Sequence, residues 1–383
     1  MSVGILLDVT SALKQSAGIG RYTRGLVHAL ARRYPRLPLT LVTTRDAPPP
    51  PTDWPYPTHR LPLSEREAIV LWQRLRIPVP AEWLLPDVHL YHSPDFVLPP
   101  LRRTRAIVTV HDLSFLVYPQ YAVPGLGFYL RGAVPRSVKR AHLVLADSQN
   151  TKRDLMRFWG TPAEKIHVLY PGLSPQFRPV KDPHTLAHVK GTYQLPHPFI
   201  LSVSRLEPRK NFPGLIKAFT QFKRRTGLPH HLVIAGGKGW LYEPIFESAR
   251  QSPYREAIHF PGFVADAHLP ALYSLADVFT YPSFYEGFGF PPLEAMACGT
   301  PVISADNSSL PEVVGDAGIL LPAEDTNAWS EALERVLTDM TLRAELIARG
   351  QEQAAKFTWE STAERLVHIY QSVLGETLTG LAP

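Results

Sequence analysis

Residues 286–294 read Glu286-Gly287-Phe288-Gly289-Phe290-Pro291-Pro292-Leu293-Glu294, and they follow a short buried-strand pattern, Val278–Tyr281, and Pro282. A strand, a glycine loop and two prolines together mark a strand–loop–helix transition. Gly287 and Gly289 let the backbone approach a ligand closely, because no Cβ stands in the way. Pro291 and Pro292 suit the first helical turn, where a missing N–H costs nothing. Gly299 suits the end of the same helix. The tip of such a helix offers unpaired N–H groups and positive potential, worth ~0.3–1 kcal/mol to a nearby anion. Two carboxylates beside an anion site need neutral donors. Sugar and ribose hydroxyls are such donors, at about 1.5–3 kcal/mol per bond to an ionised oxygen. The plain alternative is a pair of acids on an ordinary helix.

Outward from this stretch, β-branched runs alternate with helical patterns. Strand patterns in the first half are Gly4–Val9, Leu39–Thr43, Val88–His92, Ala106–His111 and Leu143–Ser148. Tyr22, Leu26, Val27 and Leu30 form one apolar stripe on a helix over residues 21–33. A second helix is expected over residues 151–158, opened by an Asn150/Thr151 cap. The proline-rich stretch from Tyr170 to Pro198 breaks the rhythm, and a second alternating series begins at Phe199. In that series Asn211 is expected to cap the helix that follows Lys210. This predicts an α/β chain of two Rossmann-like doubly wound domains, 1–175 and 199–358, joined by a linker at 176–198. Ligands are then expected in a crevice beyond the strand C-termini, with the two domains facing across a cleft. Residues 327–356 and 360–374 read as amphipathic helices, and the final segment, 359–383, is expected to cross back onto the first domain. The proline run at 48–57 reads as a semi-rigid surface loop.

Charge is uneven along the chain. Residues 1–180 hold 23 Lys and Arg against 12 Asp and Glu, while residues 181–383 hold 17 against 22. The basic half suits a phosphate-bearing acceptor or an anionic membrane surface, or it is ordinary surface charge. No basic block interleaved with aromatics accompanies it, which argues against nucleic acid. The single cysteine, Cys298, excludes an internal disulfide and suits a reducing compartment. The opening MSVGILLDVT reads as a strand rather than a signal peptide, so a cytoplasmic location is expected, with peripheral contact at the inner membrane face.

Three further segments carry candidate residues. In Ser204-Arg205-Leu206-Glu207-Pro208-Arg209-Lys210-Asn211, a strand-end Arg205 and a helix-opening Lys210 can converge on one diphosphate. A solvated basic turn is the alternative. Gly18-Ile19-Gly20 is half of a dinucleotide loop, but Thr23 stands where a third glycine would be needed, which weakens any reading as an NAD site. His111-Asp112 closes a strand and is either structural or functional. No Asp-x-Asp pair exists, so no metal site is expected.

YPSFYEGFGFPPLEAMACGTPVI resembles the E-x7-E signature of the retaining glycosyltransferases of family 4, which have the GT-B fold. SAGIGRYTRGL, HDLSFLVYP, ADSQNTKRDL, FILSVSRLEPRKN and LVIAGG extend the resemblance from Gly4 to about Trp359. The resemblance implies a metal-independent transferase whose substrate, not cofactor, is a nucleotide-sugar. It assigns Arg205 and Lys210 to the donor diphosphate. It assigns Glu286 to the donor sugar, helped by amides of Phe288, Gly289 and Phe290. Glu294 goes to the ribose, and the backbone at Phe263 and Val264 to the nucleobase. Gly20 lies against the donor phosphates, and His111 is a positioning residue at the donor sugar. The motifs are most similar to bacterial mannosyltransferases, so GDP-mannose is the favoured donor and a UDP-sugar the runner-up. The acceptor is expected to be a glycan or lipid-linked intermediate. An epimerase or phosphorylase of the same fold is the rival activity.

Overall fold

The computed structural model describes residues 4–15, 18–375 and 378. Thirteen strands form two separate sheets among these residues, and every pairing between them is parallel. The first sheet holds β1 (Ile5–Asp8), β2 (Leu39–Thr43), β3 (Thr58–Arg60), β4 (Leu90–Ser93), β5 (Arg105–Val110), β6 (Leu143–Ala146) and β7 (Ile166–Val168). Their order is β3-β2-β1-β4-β5-β6-β7. The second holds β8 (Phe199–Val203), β9 (His231–Ala235), β10 (Ile258–Gly262), β11 (Val278–Tyr281), β12 (Val302–Ala305) and β13 (Ile319–Leu321). Their order is β10-β9-β8-β11-β12-β13. Parallel strands need long crossovers, and helices on both faces leave the central strands buried on both sides. That is why β6 and β11 read as unbroken runs, LVLA and VFTY, with every residue buried. Each sheet reverses its winding once, between β1 and β4 and between β8 and β11. Loops leaving the C-terminal ends of those strand pairs diverge and open a crevice.

The chain divides into two units. One gathers the described residues of 1–117, 124–172 and 357–383, and the other those of 118–123 and 173–356. In the first unit the Trp359–Leu374 helix packs on the Ile19–Arg33 helix. Trp359, Ala363, Leu366 and Tyr370 share a core with Tyr22, Leu26 and Leu30. The approach is close enough to require glycine: a Cβ on Gly25 would lie 2.3 Å from Trp359 Cε2. In the second unit, residues 176–198, read from sequence as a linker, carry the Pro183–Thr192 helix, which packs on the Leu269–Leu275 helix.

Several local expectations are corrected. The Gln149–Trp159 helix is capped by Ser148, whose Oγ accepts from Thr151 N at 3.0 Å, not by Asn150 or Thr151. Asn211 does not cap the Phe212–Thr226 helix with its side chain; its backbone is left-handed, at φ 53°, and its Nδ2 donates to Ala323 O at 2.7 Å. The helical stretch at 327–356 is two helices, Thr326–Thr338 and Met340–Ala354, because Asp339 turns extended and accepts from Leu342 N. The proline run at 48–57 is a loop with most of its residues exposed, anchored where Trp54 and Tyr56 are buried and Tyr56 Oη donates to Tyr34 O at 2.8 Å. The sequence pattern also missed β3, β7, β13 and the Pro124–Arg140 helix. The strands have three residues each, and the helix carries Pro135 inside it. Among the described residues no helix is long and apolar enough to cross a membrane.

Candidate active site

β8 and β11 are neighbours at the reversal of the second sheet, so the loops that follow them meet. The loop after β8 passes through a 3-10 turn, Pro208–Lys210. The loop after β11 runs through Ser283 and Glu286 into the Phe290–Ala297 helix. Their junction is Lys210 Nζ donating to Glu286 Oε1 at 2.6 Å. Ser283 Oγ donates to the same oxygen at 2.6 Å, and Arg209 Nη1 donates to Oε2 at 3.1 Å. Arg209 also bridges to Glu207 Oε1 at 2.8 Å, and Lys210 reaches the Tyr281 hydroxyl at 3.1 Å. Glu207, Lys210 and Glu286 are all buried. Two cations and two carboxylates therefore close a buried, charge-balanced group, which is what makes burial tolerable.

Burial alone would raise the Glu286 pKa. Lys210, Arg209 and the Ser283 hydroxyl outweigh it and hold the group down at about 2. Glu286 is a carboxylate at any physiological pH, an acceptor of hydrogen bonds rather than an acid. Burial and the neighbouring Arg209 push the Lys210 ammonium below its ordinary range, against the pull of Glu286.

The Glu286 loop is held from behind by the turn at 307–310. Glu286 N donates to Ser308 Oγ at 2.9 Å, and Ser309 Oγ donates to the Glu286 carbonyl at 2.9 Å and to that of Phe288. Asn307 Nδ2 donates to Ser283 O at 3.1 Å. Gly289 adopts φ 125° at the start of the Phe290–Ala297 helix, a conformation that only glycine takes at little cost. A Cβ there would also stand 2.9 Å from Leu310 Cδ2. Its N-cap is Gly289, which has no side chain to cap it. Phe288 is buried, and its ring meets that of Phe290 edge-on at 5.1 Å. Glu294 is buried one turn further on, where its Oε2 accepts from the Tyr273 hydroxyl at 2.8 Å.

The remaining candidates of this unit lie apart from that junction. Arg205 is exposed, with Cγ and Cδ against Gly239, where an added Cβ would lie 3.0 and 3.1 Å from them. The cation that joins Lys210 on Glu286 is Arg209, because the 3-10 turn swings it round. Phe263 is 67% exposed after the left-handed Gly262, at φ 80°, while Val264 is buried.

In the first unit Gly20 sits in the first turn of the Ile19–Arg33 helix, where a Cβ would lie 2.1 Å from Gln15 O. Only a hydrogen fits. Ser16 and Ala17 of the same motif lie outside the described residues. His111 follows β5 and is buried. Its Nδ1 faces Asp147 Oδ2 at 2.7 Å and its Nε2 faces the Pro94 carbonyl at 2.8 Å. Tyr22 and Phe96 pack edge-on against the ring. Both ring nitrogens face acceptors, so both carry protons. Burial lowers the His111 pKa, but the Asp147 carboxylate more than restores it, to about 9. An imidazolium with no free lone pair cannot take a proton. The His111 carbonyl accepts from Thr151 Oγ1 at 3.1 Å.

The structure thus brings Lys210 and Glu286 together, keeps Glu294 on the helix that follows Glu286, and leaves Arg205 and Phe263 out of that contact. Sequence reasoning missed Arg209, Ser283, Ser308, Ser309 and Asp147. Arg209 was visible beside Lys210; which of two arginines turns inward depended on one turn of backbone.

Residues 187–353 match the family of glycosyl transferases group 1, and residues 16–177 match glycosyltransferase family 4. The O-antigen chain mannosyltransferase B of Escherichia coli is 34% identical over 312 residues, 81% of each chain. The chain belongs to glycosyltransferase family 4. The glycosyltransferase is similar in fold to the sucrose-phosphate synthase of Thermosynechococcus elongatus, with a TM-score of 0.77 and 23% identity over 97% of this chain and 99% of that one. It is also similar to Anabaena HepE in complex with UDP and glucose, with a TM-score of 0.73 and 18% identity over 97% and 100%. These likenesses are of fold: the glycosyltransferase has the GT-B architecture of two Rossmann-like units.

Proposed function

We propose that the enzyme transfers mannose from GDP-mannose to a hydroxyl of a glycan or lipid-linked acceptor, with retention at the anomeric carbon and without a metal. The observation that carries this reading is the Lys210–Glu286 junction, at the winding reversal of the second sheet and beside an uncapped helix N-terminus. The mannosyl assignment is supported by the O-antigen relative, whose name states that sugar.

In this reading Lys210 and Arg205 bind the diphosphate and stabilise it as it departs, with the helix N-terminus and the amides of Phe288, Gly289 and Phe290 adding positive potential. That supplies the charge a metal would otherwise supply. Glu286 accepts hydrogen bonds from donor-sugar hydroxyls, and Glu294 from the ribose. The backbone at Phe263 and Val264 reads the base, and Gly20 leaves room for phosphate. A carboxylate held by two cations is a poor nucleophile, which favours front-face attack over a covalent glycosyl-Glu286. The acceptor proton then passes to a phosphate oxygen of the leaving group. His111 positions through its carbonyl and its rigid ring, since its nitrogens hold no free pair. Arg74, Arg76, Arg131, Arg136 and Arg140 have no carboxylate partner among the described residues, and Phe128 and Leu126 are exposed at 84% and 53%. These groups support peripheral contact between the basic first half and an anionic membrane surface.

A thermal-shift panel of GDP, UDP, ADP and their sugars tests the donor. Stabilisation by GDP and GDP-mannose is expected; a response to UDP alone favours the second reading, a UDP-sugar transferase, to which the HepE likeness points. Donor turnover without any acceptor would favour an epimerase, and dependence on inorganic phosphate a phosphorylase. Trapped glycosyl-Glu286 would overturn front-face attack, and activity abolished by EDTA would overturn metal independence.

A further inference from the structure

Beside the Glu286 loop lies a group of aromatic rings that the donor reading does not use. Tyr118, Tyr121 and Phe284 belong to the second unit and are each half-buried. Their centroids are 5.7, 5.9 and 6.1 Å apart, and their planes differ by 7°, 20° and 26°. A column of three stacked rings would place the outer pair at about twice the neighbour spacing. Three near-equal separations between near-parallel planes mean instead that each ring is stepped from the other two and overlaps them only in part, as offset tiles.

The tile is fixed by hydrogen bonds that do not use the ring faces. Phe284 N donates to the Arg209 carbonyl at 2.9 Å, tying the tile to the cation that holds Glu286. Trp240 Nε1 donates to the Tyr121 carbonyl at 2.7 Å, pinning that turn. The Asn211 amide, two residues on from Arg209, holds the Ala323 carbonyl at 2.7 Å. The three rings therefore offer apolar faces and carry two phenol hydroxyls, those of Tyr118 and Tyr121. A pyranose presents C–H groups on its face and hydroxyls around its edge, which is the complement. In the donor reading the nucleobase already has its place at the backbone of Phe263 and Val264.

We infer that Tyr118, Tyr121 and Phe284 form the platform on which a pyranose of the acceptor glycan stacks. This rests on the proposed transferase reading and adds to it a place for the acceptor sugar. It predicts that recognition is of a hexose face, tolerant of what lies further along the glycan.

The test uses the full chain, GDP-mannose as donor, and methyl α-D-mannopyranoside and mannotriose as acceptor probes. With GDP present, saturation-transfer NMR on the wild type is expected to mark the sugar C–H protons. Tyr121→Leu is expected to abolish that signal and raise the acceptor KM by about five- to tenfold, with the donor KM unchanged. Tyr121→Phe keeps the ring and is expected to keep acceptor binding, which separates stacking from loss of fold. An acceptor KM that Tyr121→Leu leaves unchanged, or that Tyr121→Phe raises equally, overturns the platform. A wild type that no nucleotide stabilises overturns the donor reading itself, and the platform with it. Donor binding intact with no glycan signal overturns the platform alone.

Discussion

Arg209 Nη1 and Glu286 Oε2 lie 3.1 Å apart, so both oxygens of this carboxylate are held by cations: one by Arg209, the other by Lys210. This pins the orientation of Glu286 before any substrate arrives. Preorganised charge costs nothing to rearrange at the moment of reaction.

Arg209 and Arg205 should therefore separate on mutation. Arg209→Met leaves Glu207 and Glu286 sharing Lys210 in a buried space, and should cost about 3–5 kcal/mol of stability. Arg205→Ala changes an exposed side chain and should stay within ~0.5 kcal/mol. Denaturant melts of the two variants check this. If Arg205 holds the donor diphosphate, its variant loses transfer while melting like the wild type.

Gly289→Ala should be costly for two reasons at once. The new Cβ meets Leu310 Cδ2 at 2.9 Å, and φ 125° is strained for any L side chain. Together these should cost about 2–4 kcal/mol. The double variant with Leu310→Ala relieves the contact and not the backbone. Partial recovery of the melting temperature is expected; full recovery would show that the conformation carries no strain.

Gly25→Ala tests the return of the last helix. Its Cβ would press into the Trp359 ring at 2.3 Å, which should cost ~1–3 kcal/mol. Pairing it with Trp359→Leu should recover part of that loss. Simple addition of the two losses in thermal melts would argue that they do not touch.

His111 sets an alkaline limit. Its folded pKa, about 9, lies above the unfolded value of 6.5. Its contribution to stability is therefore full below pH 6.5 and lost as pH rises through 9. Asp147→Asn should remove that slope. Its neighbour His92 behaves oppositely: burial, then the charge of His111, lowers it to about 3, and it bonds to Tyr370 Oη and Thr109 Oγ1 as a neutral ring. Nitrogen-15 NMR at pH 7.5 should show His111 doubly protonated and His92 neutral. A neutral His111 would remove the argument against its acting as anything but a positioning residue.

The runs LVLA and VFTY, the glycine loop and the two prolines were enough to announce parallel sheets and a helix opening after Glu286. Local pattern carries that information because a doubly buried strand must be largely apolar, with any hydroxyl satisfied within the sheet, and a helix start tolerates proline. The same pattern could not show β3 or β13, since a three-residue edge strand has no period to read. Nor could it choose between Arg205 and Arg209, or seat Ser308 and Ser309 under the Glu286 loop. Those residues are neighbours only because β8 lies beside β11, and β11 beside β12, in the folded sheet. What the residues determined alone was therefore periodicity, turn chemistry and the positions of the acids and cations. Which charge meets which was decided by strand order, because hydrogen bonds and ion pairs depend on distance in space and the chain encodes only separation along itself.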